Sequence, residues 1–65
     1  MEYYEFRMIV VKGGINHVDV LGKDECIEAG RKACREHAER IGSGKITLEV
    51  SPKSNIREVV YRESF

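Results

Sequence analysis

The stretch DECIEAGRKACREHAERIG, residues 24 to 42, carries the only helical repeat in the chain, and its reading decides the fold. Cys26, Ile27, Gly30, Ala33, Cys34, His37, Ala38 and Ile41 recur at three- and four-residue intervals, which aligns them along one side of a helix. Glu28, Arg31, Lys32, Arg35, Glu36, Glu39 and Arg40 fall on the other side, with opposite charges one turn apart, so that side is solvated. Asp24 suits the N-cap, since its carboxylate can accept from the free amides of the first turn, and Gly42 suits the stop. The apolar stripe consists mostly of small residues. It predicts a helix whose backbone lies close on a flat partner, a sheet that must supply the larger side chains.

Outward from the helix, both flanks read as paired strands. Tyr4, Phe6, Met8 and Val10 alternate with Tyr3, Glu5, Arg7, Ile9 and Val11, and the heavier even set should meet the helix. A glycine turn leads into a second run through Val18, Val20 and Leu21. A three-residue loop, Gly13 to Ile15, would pair Val10 with Val18 and Met8 with Val20, matching the apolar sets and leaving His17 and Asp19 on the opposite face. After Gly42-Ser43-Gly44, Ile46, Leu48 and Val50 alternate with Lys45, Thr47 and Glu49. Ser51 to Asn55, with the single proline at Pro52, reads as a turn, and Ile56 to Phe65 as a last strand; Val59, Tyr61 and Phe65 offer the larger apolar set and are expected inward, the alternative being Ile56 and Val60, which would put Arg57 opposite Glu49. The expectation is an α+β fold over residues 1–65, a β-β-α-β-β chain forming one domain. A right-handed crossover gives a four-stranded antiparallel sheet in the order two, one, three, four, with one helix packed on one face.

Composition narrows the function. Eleven basic residues balance eleven acidic ones, so the whole-molecule field used by a general nucleic-acid binder or an acidic DNA mimic is missing. No apolar run approaches the ~20 residues that cross a bilayer, and Met1 opens no basic-then-apolar leader, so a cytoplasmic protein without membrane attachment is expected. At 65 residues such a domain buries only about 60% of its unfolded surface. Cys26 and Cys34, eight positions apart on one helix, are separated by roughly 12 Å of axial rise, too far for a disulfide. They are expected as free thiols of a reducing compartment.

Candidate chemistry is sparse. Cys34 and His37, one helical turn apart, have the spacing of a thiolate–imidazole pair or of two metal ligands, but the further ligands of a zinc site are not spaced to complete one. Core cysteine and boundary histidine are the better reading, and neither metal nor cofactor is expected. Gly42-Ser43-Gly44-Lys45 resembles the end of a phosphate loop, yet Glu39 stands where the first glycine belongs, Ile46 where the hydroxyl belongs, and the helix precedes instead of following. Arg31, Lys32 and Arg35 cluster on the solvated helix face and could meet phosphates or an acidic protein, although glutamates interleave with them. With no recognisable acid–base pair and little room for a deep pocket, a non-enzyme is expected.

The opening strand Tyr4 to Val11, the helix start Asp24-Glu25-Cys26-Ile27-Glu28-Ala29, the later Ala33 and Ala38, and the strand Ile46 to Val50 together resemble the layout of small phage-encoded inhibitors of bacterial defence, the single-domain anti-CRISPR proteins. That resemblance implies a non-catalytic protein that blocks the nucleic-acid or partner surface of a bacterial protein or ribonucleoprotein effector in the host cytoplasm. The balanced charge departs from the family's acidic DNA mimics. A second resemblance is to sheet-and-helix antitoxins. The contact residues expected for an interaction protein are Tyr3, Arg7, Ile9, Val11 and Thr47 on the open sheet face, acting from a monomer or homodimer. The alternative is a small nucleic-acid-binding module that uses Arg31, Lys32 and Arg35 or the tyrosines.

Overall fold

A computed structural model describes residues 1–65. Strands β1 (Tyr3–Val10) and β2 (Gly14–Leu21) precede helix α1 (Lys23–Ile41), and β3 (Ile46–Pro52) and β4 (Tyr61–Ser64) follow it. All neighbours are antiparallel, in the order β2-β1-β3-β4, and the helix packs on one face of this open sheet. The α+β architecture, the element order and the strand order expected above are therefore observed. No helix is long and apolar enough to cross a membrane.

Period-two alternation places the core. Phe6 on β1 and Ile46, Leu48 and Val50 on β3 are buried against Cys26 and Cys34 of α1, with Tyr4, Met8, Val10, Val20, Ile27, Ala33, Ala38 and Tyr61 around them. The small stripe on the helix does bring it close. A Cβ at Gly30 would lie 2.7 Å from Leu48 Cδ1 and 3.1 Å from Phe6 Cγ, so only glycine lets the helix axis descend this far.

Several local details differ from expectation. The β1–β2 hairpin turns through Val11–Gly13, pairing Val10 with Gly14, Met8 with Asn16 and Phe6 with Val18. The Gly13 amide donates to the Val10 carbonyl at 3.0 Å, and the Val10 side chain occupies the place of any Cβ at residue 13. In this turn the non-glycine Lys12 sits at φ 67°, and the register lies four positions from the apolar match while each side chain keeps its face. Asp24 lies inside the helix. The cap is Gly22, at φ 92°, with no side-chain hydrogen bond, and Asp24 and Glu25 supply negative charge in the first turn. Gly42 does end the helix, at φ 99°, its amide donating to the Ala38 carbonyl at 2.8 Å.

The last strand begins later than Ile56. Asn55 holds a turn with its side-chain oxygen on the Arg57 amide at 3.3 Å and its carbonyl on the Glu58 amide at 3.0 Å, which leaves Ile56 exposed. Tyr61 and Phe65 pack on the core as expected, but Val60 joins them where Val59 was expected.

Candidate functional site

The face of the sheet away from α1 is assembled from odd-numbered residues of three strands and even-numbered residues of β4. Pairing sets Glu5 beside Asp19 and Ser51, Arg7 beside His17 and Glu49, and Ile9 beside Ile15 and Thr47, with Arg62 next to Glu49 at the β4 edge. Of the contact residues named from sequence, Tyr3, Arg7, Ile9 and Thr47 do share this face. Val11 lies exposed in the turn just beyond it.

Sequence reasoning did not foresee how these residues engage one another. Arg7 Nη2 donates to Ser51 Oγ at 2.9 Å and lies 3.3 Å from Glu49 Oε1. Arg62 closes on the other carboxylate oxygen of Glu49, Nη2 at 2.9 Å and Nε at 3.1 Å. The Arg7 and Glu49 side chains keep only 16% and 18% of their accessible surface, and Ser51 none. A second group adjoins the first. Lys53 Nζ lies 3.5 Å from Glu5 Oε1 and 3.3 Å from Asp19 Oδ1, and His17 Nδ1 lies 3.6 Å from Glu5 Oε2, an ion pair when the imidazole is protonated. The hydrogen bond to Asp19 is the main reason the Lys53 ammonium holds its proton more firmly than a free lysine; the charges of Asp19 and Glu5 reinforce it, against a partial loss of hydration.

This centre is therefore a lattice of ordered charges. Three carboxylates, Glu5, Asp19 and Glu49, face three permanent cations, Arg7, Lys53 and Arg62. Exposed apolar residues rim it: Tyr3 and Leu21 at one end, Ile15 and Val11 at the other. Glu5, His17 and Asp19 also present ligand atoms within 4.8 Å of one another, a donor set that could hold a divalent ion. The Lys53 ammonium already supplies a positive charge against both carboxylates there.

The other named residues lie on the helix side. Arg31 is drawn to β4, its Nε 3.1 Å from Glu63 Oε1, although the N–H vector misses that oxygen, so the contact is ionic and not a directed hydrogen bond. A weaker contact to Glu28 at 4.0 Å adds to it. Lys32 and Arg35 stay exposed. The expected basic cluster is thereby reduced to two cations, because Glu63 projects past the edge of the helix from the core-facing side of β4.

Cys34 and His37 do not form an activated pair. Cys34 is fully buried, and burial, reinforced by the Glu63 charge, pushes its thiol up to about 11. Cys26 is likewise raised to about 11, by burial first and then by the Asp19 and Glu5 charges. Such thiols stay protonated at neutral pH, whereas a nucleophile needs the thiolate. His37 Nδ1 instead lies 3.2 Å from Arg40 Nη2 at the surface.

The parity of the strands showed which residues share the open face, but their contacts depend on register, and Glu5, Ser51, Lys53 and Arg62 carried no sequence signal beyond alternation. No concave pocket interrupts the surface. Comparison with protein-family models, with curated proteins and with solved structures finds no match, so a functional reading rests on this chain's own geometry.

Proposed function

We propose that this chain is a non-catalytic interaction protein whose open sheet face binds a protein surface. The target class is the one implied by the resemblance in layout, a protein or ribonucleoprotein effector of bacterial defence that is blocked when the face is occupied. One observation carries the reading: the face left bare by α1 holds side chains already ordered by mutual pairing and ringed by exposed Tyr3, Val11, Ile15 and Leu21. Binding such a face costs little side-chain entropy, and an apolar rim beside oriented charges provides both contact area and register. The balance of charge favours protein over nucleic acid. A phosphate backbone is held by surplus cations, and here each cation is matched by a carboxylate.

The test is inhibition of defence in bacteria that carry individual CRISPR effectors, read as phage plating, with capture of the purified effector alongside. Ile9→Asn combined with Tyr3→Asn removes apolar contact area from the face without adding charge to the lattice, and should abolish both inhibition and capture while circular dichroism stays unchanged. Inhibition by none of the effectors, or full activity of the double variant, would overturn the proposal. Of the residues named for it, the nucleic-acid reading keeps Lys32 and Arg35 as unpaired cations and Tyr3 as an exposed ring. Two phosphate contacts predict weak duplex binding whose logarithm falls with log salt at a slope of about −1.8.

A further inference from the structure

We propose that β2 is an association edge for a second copy of this chain, with two β2 strands pairing antiparallel about a two-fold axis at Val18 to give one eight-stranded sheet. This inference does not depend on the open-face reading, although Ile15 and Leu21 border both surfaces.

The backbone phase supplies the first argument. The Gly22 amide donates to the Glu2 carbonyl at 3.0 Å, in line with the β1–β2 pairing. Hydrogen-bonded pairs alternate along an antiparallel ladder, so the even-numbered residues of β2 exchange their bonds with β1. The amides and carbonyls of Ile15, His17, Asp19 and Leu21 then point outward, where β2 is the terminal strand of the sheet, and no loop or turn bond of the chain takes them.

The second argument is what this edge lacks. Monomeric proteins blunt a free edge with a short strand, a bulge, a proline, charged side chains or a covering loop. β2 runs through eight consecutive pairs without a bulge, contains neither proline nor lysine, and its one acid, Asp19, is already paired with Lys53 at 3.3 Å. Ile15, Val18 and Leu21 keep 59%, 48% and 40% of their surface exposed along it. The opposite edge, β4, has only four residues, so pairing through β2 closes at two copies and does not propagate.

Register selects the occupant. A two-fold pairing that joins outward groups to outward groups must match odd residues with odd ones. Centred on Val18, it sets His17 against the partner's Asp19 and Ile15 against the partner's Leu21 on the open face, while the two Val18 side chains meet on the helix side. Shifting the centre to His17 stacks two histidines and sets Asp19 against the partner's Ile15. Shifting it to Asp19 stacks two aspartates. Only one register matches polar with polar and apolar with apolar, and that self-complementarity is what a second copy provides.

Sedimentation equilibrium from micromolar to millimolar concentration tests this, with circular dichroism as the control for folding. The wild-type chain should reach a dimer and stop there. Val18→Lys places two ammonium groups face to face on the axis, and Ile15→Pro removes one outward amide without disturbing the β1 ladder. Each should weaken association by about tenfold or more. His17→Asp alone opposes two acids and should weaken it likewise, whereas His17→Asp together with Asp19→His restores the same pairs and should recover it. A chain that stays monomeric, assembles beyond the dimer, dimerises unchanged in the Val18 and Ile15 variants, or fails to recover in the exchange variant would overturn the proposal.

Discussion

Glu49→Gln isolates the charge that organises the open face. The substitution keeps the shape of the side chain, so packing is conserved and only the anion is lost. Glu49 Oε1 lies 3.3 Å from Arg7 Nη2; unit charges at that distance, with an effective dielectric of about 20, attract by ~5 kcal/mol before desolvation is subtracted. Both side chains are more than four-fifths buried, and a hydrogen bond to such a charged group retains about 1.5–3 kcal/mol net. The Arg62 contact is different in kind. That side chain is 62% exposed, and a pair of this sort contributes no more than about 1 kcal/mol. In the variant, Arg7 is left nearly buried, holding only the Ser51 hydroxyl and a neutral amide. We expect a loss of about 2 kcal/mol at pH 7, which for a domain of this size lowers Tm by roughly 8–16 °C. Urea denaturation at low and high salt provides the assay. Salt should weaken the Arg62 part and leave the Arg7 part, which lies inside the screening length and out of water. Replacing both partners, Arg7→Met with Glu49→Leu, should restore most of the stability by removing the stranded charge. A change below about 0.5 kcal/mol for Glu49→Gln would refute the view that these charges hold one another in place.

Other consequences can be measured in the same way. Gly30→Ala should gain about 1 kcal/mol of helix propensity and lose about 1–3 kcal/mol to overpacking against Leu48 and Phe6, a net destabilisation in urea melts that Leu48→Val should partly rescue. A raised Tm for Gly30→Ala would contradict the close approach of helix and sheet. Cys26 and Cys34 titrate near 11 in the folded protein against an ordinary 9.0, so unfolding releases protons between those values. The stability they contribute is complete below pH 9 and falls as pH rises towards 11, by on the order of 2–3 kcal/mol per thiol. Replacing both with alanine should flatten this alkaline slope, and the native thiols should resist a thiol reagent at neutral pH. Lys12→Gly should stabilise the hairpin by up to about 1 kcal/mol in thermal melts, because Lys12 occupies a left-handed conformation at φ 67° that glycine adopts without strain.

Much of the architecture follows from local periodicity. The small residues Gly30, Ala33 and Ala38 marked α1 as a helix lying low on a sheet, and alternation in Tyr4–Val10 and Ile46–Val50 marked the faces of two strands. Those patterns survive any choice of register, because a strand's parity is set by its own pleat. The preference for right-handed crossovers leaves few strand orders for a chain with this order of elements, and β2-β1-β3-β4 is the one adopted.

Tertiary structure alone decided which charges meet. Matching apolar side chains across the hairpin favours Val10 beside Val18. The turn instead closes where Gly13 can clear the Val10 side chain, and that shift of four places brings Glu5 beside Asp19 and Arg7 beside His17. Likewise Arg31 reads as an exposed cation until β4 carries Glu63 to it. Within β1, β2, β3 and the helix, sequence alone determined which way each side chain faces, since that is a property of the element that bears it; before β4, where the chain leaves a strand, it did not, and Val60 packs in place of Val59. Which neighbour it finds there depends on turns and pairings between distant segments, where one loop geometry resets every cross-strand contact at once.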